Sequence, residues 1–198
     1  ELLKNGGQHV LMGFELRTRP VEAFLGVPKK APKPAKGDSA KPDGATDEDI
    51  RKWRESVAVG KAGEFRKTWN DAGVLIEIVK VDGLFKMSDG ELDYAFTLAK
   101  TLGARAISTE ISKSDDELKR VGQFADKHKF LVGYHGHAAT GPDHWEKAFA
   151  LAEHNGANVD IGHFVAGDHG SPVPLIPKHP PAVPPPPWVG PGSRPPSH

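Results

Sequence analysis

With 198 residues, 26 basic against 26 acidic side chains and no cysteine, the chain has sequence enough for one good core and carries no net charge. That balance argues against nucleic acid or an anionic membrane as a partner, because no global field draws either one in. The missing thiols exclude disulfides and thiolate metal sites, so His, Asp and Glu are the only strong ligands available to a metal.

The chain opens with a short apolar stretch and Asn5-Gly6-Gly7, which reads as the end of a helix. Residues 10–17 are expected to form a buried strand. From 26 to 45 the composition turns to Lys, Pro, Ala, Gly and Asp, and a flexible basic surface loop is expected. Thr46 with Asp47, Glu48 and Asp49 behind it starts a helix, acidic where the dipole favours it. Ile50, Trp53, Val57, Phe65 and Trp69 supply its apolar face through Asn70. Residues 74–79 (VLIEIV) read as a strand.

Ser88-x-x-Glu91 is a capping box opening a helix with Leu92, Phe96, Ala99 and Leu102 inward, stopped by Gly103. Strand 104–108 follows, with Thr109 and Glu110 at its end. Ser114-x-x-Glu117 is a second capping box, and its helix buries Leu118, Val121, Phe124 and Ala125. Strand 130–134 ends in His135 and His137. Gly141 and Pro142 then open a helix carrying Trp145, Ala148, Phe149 and Ala152, with Asn155-Gly156 as the stop. A last strand, 157–161, ends in Asp160 and His163.

Strands therefore begin near 74, 104, 130 and 157, a period of roughly 26–30 residues with a helix in every gap. Such alternation implies a parallel sheet, either wound into a barrel or doubly wound. No strand is followed by a glycine-rich phosphate fingerprint, which favours the barrel. In such folds ligands collect at the carboxyl ends of the strands, where Glu110, His135, His137, Asp160 and His163 all fall.

Asn158-Val159-Asp160-Ile161-Gly162-His163 resembles the sixth-strand motif of the sugar phosphate isomerase/epimerase family, the xylose isomerase-like barrels. Gly133-Tyr134-His135-Gly136-His137 looks like the fifth-strand motif of that family, and 104–110 is similar to the fourth strand. The resemblance extends over 2–179 and is specific at 104–167. It implies an α/β fold, a partial (β/α)8 TIM barrel of about strands 2–6 with parallel strands and outer helices. It also implies a divalent metal (Mn, Mg, Zn, Fe or Co) at the carboxyl end of the barrel. The metal would hold two sugar oxygens while a proton or hydride moves between adjacent carbons.

By that resemblance His135 and Asp160 are metal ligands, His137 contacts substrate, and Glu110 and His163 are catalytic. The family places a Glu where this chain has His135, and imidazole shifts metal preference towards softer ions. The resemblance further implies a His and a Glu on the last two strands, neither of which the sequence supplies. After His179 come nine of the chain's 18 prolines, which cannot build a buried strand. The domain is thus expected to run over 1–179, with 180–198 a disordered Pro-rich tail, either natural or the product of a shifted frame.

The expected function is a metal-dependent isomerase or epimerase of a sugar or sugar phosphate, cytoplasmic and weakly active or inactive in this form. The alternative is a non-catalytic partial barrel that binds a metal or a partner.

Overall fold

The computed structural model describes residues 12–31 and 43–171. Five strands, β1 (Met12–Arg17), β2 (Val74–Lys80), β3 (Ala106–Glu110), β4 (Leu131–His135) and β5 (Asn155–Asn158), form one sheet in that order, every pair parallel. A doubly wound sheet reverses strand order at its middle, and this one does not.

The helices are α1 (Thr18–Phe24), α2 (Asp47–Ser56), α3 (Ala62–Asp71), α4 (Asp89–Thr101), α5 (Asp115–His128), α6 (Pro142–Leu151) and α7 (Ile161–Ala166). Of these, α3, α4, α5 and α6 pack side by side in sequence order, forming one layer against the sheet, and α2 lies on α4. Right-handed crossovers in a single winding direction give that arrangement. Among the described residues β1 and β5 are unpaired edges, so the sheet is an open, partial α/β barrel. No helix of the described residues is long and apolar enough to cross a membrane.

Register tells which side chains face the helices. Phe14 pairs with Ile76, but Glu15 pairs with Ile78, so Glu77 is an extra residue bulged out of β2. The bulge resets the alternation. Before it, Ile76 turns outward under the helices and the Phe14 ring lies 4.8 Å from that of Trp69 on α3. After it, Val79 faces the helices and Ile78 and Lys80 face the concave side. Ile107, Val132 and Tyr134 continue the outward row, all 0% exposed. Each such apolar side chain contributes about 1.5–3 kcal/mol by burial.

Several boundaries differ from those the sequence suggests. The strand expected at 104–108 runs Ala106–Glu110, which puts Glu110 inside the ladder opposite His135. The strand expected at 157–161 is Asn155–Asn158, and α6 ends at Leu151 rather than at Asn155-Gly156. Asn155 explains both shifts. Its side chain is buried, donates to the Ala148 carbonyl at 2.8 Å and accepts from the Tyr134 hydroxyl at 3.0 Å. It thereby satisfies one of the orphan carbonyls in the last turn of α6.

The single helix expected from Thr46 to Asn70 is two. Val57 leaves α2 in extended conformation, a one-turn 3-10 helix covers Val59–Lys61, and α3 begins at Ala62. Two β-branched residues and a glycine within 57–60 weaken the helix there. The break lets Trp53 meet Tyr94 edge-on at 6.1 Å while Phe65 meets Phe24 at 5.5 Å. Helix α1 was not foreseen. It is tied in by Glu22, whose carboxylate accepts from Arg54 of α2 at 2.8 Å, while Arg54 also reaches Glu91 of α4 at 3.0 Å.

Capping at Thr46 and Ser88 is reciprocal, the hydroxyl accepting from the third amide and the third carboxylate accepting from the cap amide. At Ser114 only half of the box forms, because the Glu117 carboxylate turns to Ser112 instead. The two ends of the basic loop are tied together: the Ala31 amide donates to Ala45 at 3.0 Å and the Ala45 amide to Lys29 at 2.9 Å. A Cβ at Gly44 would stand 2.7 Å from the Ala31 backbone, so the pairing needs glycine there. The remainder of that loop (32–42), the strand start at 10–11 and the proline tail lie outside the described residues.

Candidate metal centre at the carboxyl end of the sheet

Parallel pairing fixes where the strand-end groups stand. Lys80 pairs with Ser108, and Glu110 pairs with His135, so β2, β3 and β4 bring their last side chains to one edge of the concave face. His135 ends β4, and His137 follows in the loop behind it. His163 comes from α7, the six-residue helix after β5.

That short helix is held by Phe164, 1% exposed, whose ring lies 6.0 Å from that of Trp145 and 5.3 Å from that of His169. His169 in turn reaches the Ala138 carbonyl at 2.7 Å, linking the end of α7 to the loop after β4. Trp145 donates to the Tyr134 carbonyl at 2.9 Å, and a Cβ at Gly136 would come within 2.6 Å of its ring. The loop that carries His137 is therefore packed tightly from below.

The result is a cluster of three imidazoles. Ring centroids are 5.0 Å apart for His135 and His137, 5.0 Å for His137 and His163, and 6.0 Å for His135 and His163. One nitrogen from each lies within 4.8 Å of the other two. Two nitrogens on one tetrahedral ion at about 2.0–2.1 Å stand about 3.3 Å apart, so small side-chain rotations close the gap. A set of imidazole nitrogen donors, two of them exposed, fits a divalent transition metal with open positions.

Asp160 takes another post. It is the N-cap of α7, and its carboxylate accepts from the His163 amide at 2.9 Å. That bond, joined by the charges of His163 and His135, holds its carboxyl below the ordinary value. It thus aims His163 and stands beside the cluster, but its oxygens are not among the three gathered donors. Glu110 is bonded on both sides, with Oε1 accepting from Lys80 Nζ at 2.6 Å and Oε2 from His137 Nε2 at 2.8 Å. Burial pushes its carboxyl up, but the bond and charge of Lys80, with the two imidazoles, outweigh this and the net direction is down.

The remaining described histidines serve the scaffold. His128 stacks on Phe96 and bonds Asp93 at 2.7 Å, His154 bonds Asp126 at 2.9 Å, and His144 accepts from the Gly141 amide at the start of α6.

Lys80 and Asn158 are the residues the sequence reading missed. Lys80 is 8% exposed, a charge at the end of an apolar strand, and that position was the signal available. Asn158 on β5 reaches Ser108 of β3 at 3.0 Å and Glu15 of β1 at 3.4 Å, which measures how strongly the sheet curls. Beneath it a shallow pocket is lined by small groups, Ala106, Ser108, Gly133 and Gly156 among them.

No family model and no curated protein matches the chain. Among solved structures it is similar to a xylose isomerase domain protein from Planctomyces limnophilus, with 15% identity, 83% of this chain and 66% of that one covered, and a TM-score of 0.48. It is also similar to the probable 3-DHS dehydratase AsbF involved in petrobactin synthesis from Bacillus anthracis, with 10% identity, coverage of 79% and 66%, and a TM-score of 0.45. With both TM-scores below 0.5, no property of this chain rests on either likeness. The chain spans just under two thirds of the length of each.

Proposed function

We propose that this chain is the metal-holding part of a sugar isomerase- or epimerase-like barrel. The observation that carries the reading is the gathering of His135, His137 and His163 at the carboxyl end of a parallel sheet, with nitrogens within 4.8 Å. These three would hold the cation, and imidazole donors favour Zn²⁺, Fe²⁺ or Co²⁺ over Mg²⁺. When bound, the ion would stabilise negative charge on two neighbouring substrate oxygens.

The division of labour among the side chains follows from their bonds. Asp160, ionised and beside His135 and His163, is the carboxylate suited to take a proton from a substrate carbon next to a carbonyl. Glu110 has both oxygens engaged by Lys80 and His137 and serves the site through them. Ser108, Asn158 and Glu15 offer donors and acceptors on the concave face to the hydroxyls of a sugar chain.

The test is wash-in of solvent deuterium at carbon 2 of a panel of aldoses and ketoses, with and without phosphate, by the Co²⁺- or Zn²⁺-loaded protein. Metal-dependent exchange that disappears in Asp160→Asn supports the reading. Cation binding without exchange in any sugar would leave a non-catalytic metal-binding barrel.

A further inference from the structure

Lys80 has entered the site so far only as a partner of Glu110. It closes β2 on the concave side, two residue pairs below the Glu110–His135 rung, and only 8% of it is exposed. An ammonium buried to that degree is held by a partner, and here it is Glu110, 2.6 Å away. The other oxygen of the same carboxylate meets His137 Nε2 at 2.8 Å. Three groups from β2, β3 and the loop after β4 thus form one line, Lys80–Glu110–His137, which ends at the imidazole cluster.

The chemistry of the line is directional. An ionised carboxylate only accepts, so the ring nitrogen facing it carries the hydrogen. With Nε2 protonated, the lone pair of neutral His137 resides on Nδ1. Lys80, donating to the opposite oxygen, keeps the carboxylate charged and limits its rotation. Glu110 is also absent from the group of donors that could share one ion. That fits a group acting on the cation through a histidine, as carboxylates behind metal-binding imidazoles do.

We propose that Lys80 and Glu110 are a positioning pair that fixes His137 as its Nε2–H tautomer and so presents Nδ1 to the cation. This deepens, and rests on, the reading that the imidazoles hold a metal. A role confined to packing would leave the tautomer untouched, and that difference makes the pair testable.

The experiment uses the ¹⁵N-labelled full chain at about pH 8, above the ordinary imidazole range, with long-range ¹⁵N–¹H spectra assigned through loss of the His137 signals in His137→Gln. Wild type is expected to show His137 with hydrogen on Nε2 and an unprotonated Nδ1, whose shift moves when Zn²⁺ is added. Lys80→Met and Glu110→Ala are expected to give mixed tautomers and to weaken Zn²⁺ binding, measured by calorimetry, on the order of 10–100-fold. Lys80→Arg should keep both the tautomer and the affinity.

Hydrogen on Nδ1 in wild type would overturn the proposal without recourse to any variant. So would an unchanged tautomer and affinity in Lys80→Met and Glu110→Ala. If the Nε2–H tautomer is found but Zn²⁺ moves no histidine signal, the pair stands and the cation reading falls.

Discussion

Replacing Asn155 by Ala should cost more than any other change on β5, and the structure says why. The side chain is 6% exposed and serves two buried partners, the Ala148 carbonyl in the last turn of α6 and the Tyr134 hydroxyl. Truncation orphans both. Each unsatisfied buried group costs about 1–3 kcal/mol, so the ceiling is about 6 kcal/mol. Water entering the vacated space would re-pair one of them, which sets the expected loss at about 3 kcal/mol, a large part of a typical domain's stability. Tyr134→Phe alone should cost about 1 kcal/mol by removing the donor to Asn155. In the Asn155→Ala background the same change deletes a stranded hydroxyl, and its cost should fall to about zero. Urea unfolding followed by circular dichroism across the four proteins measures the cycle. Strict additivity, or an Asn155→Ala loss below about 1 kcal/mol, would refute the claim that this side chain ends α6 and seats β5.

Arg54→Leu removes the guanidinium shared by buried Glu22 and Glu91, leaving the Tyr94 hydroxyl beside the first and Arg51 and the Ser88 amide beside the second, and should destabilise by about 3 kcal/mol in the same assay. Gly136→Ala puts a Cβ within 2.6 Å of the Trp145 ring and 2.8 Å of Thr140. It should cost about 1–3 kcal/mol and change the near-ultraviolet signal of the tryptophans. For Asp93, burial pushes the carboxyl up but Lys127 and His128 outweigh it, so its folded-state value is lowered. Its contribution is present above the ordinary carboxylate range and is lost as pH falls through that lower value. Asp93→Asn should therefore flatten the acid loss of stability below the ordinary carboxylate range and cost under about 1 kcal/mol at neutral pH, the pair being half exposed. Acid unfolding curves of the two proteins check this.

The parallel, barrel-like order was legible because helix starts and apolar strands recur with a steady period, and the Ser88 capping box reads the same in sequence and structure. Glu110, His135 and His137 were legible as strand-end groups, since each lies within three residues of an apolar run. Strand β5 was misplaced for a physical reason. Its sequence, Asn-Gly-Ala-Asn, has no apolar alternation, and what holds it is the side-chain bonding of Asn155 and Asn158, which no periodicity reveals. The role of Asp160 was hidden for the same reason, because a residue taken as a strand end is here the cap of a six-residue helix. The bulge at Glu77 also escaped notice, though it decides that Lys80 faces the site.

The central claim is that His135, His137 and His163 share one cation. Calorimetric titration of Zn²⁺ and Co²⁺ into the full chain and into each single His→Ala variant tests it most directly. The account predicts one ion per chain and a loss of at least about tenfold in affinity for every one of the three variants, no less than outer-shell changes alone produce. Absence of binding in wild type, or an affinity left intact by His163→Ala, would contradict it.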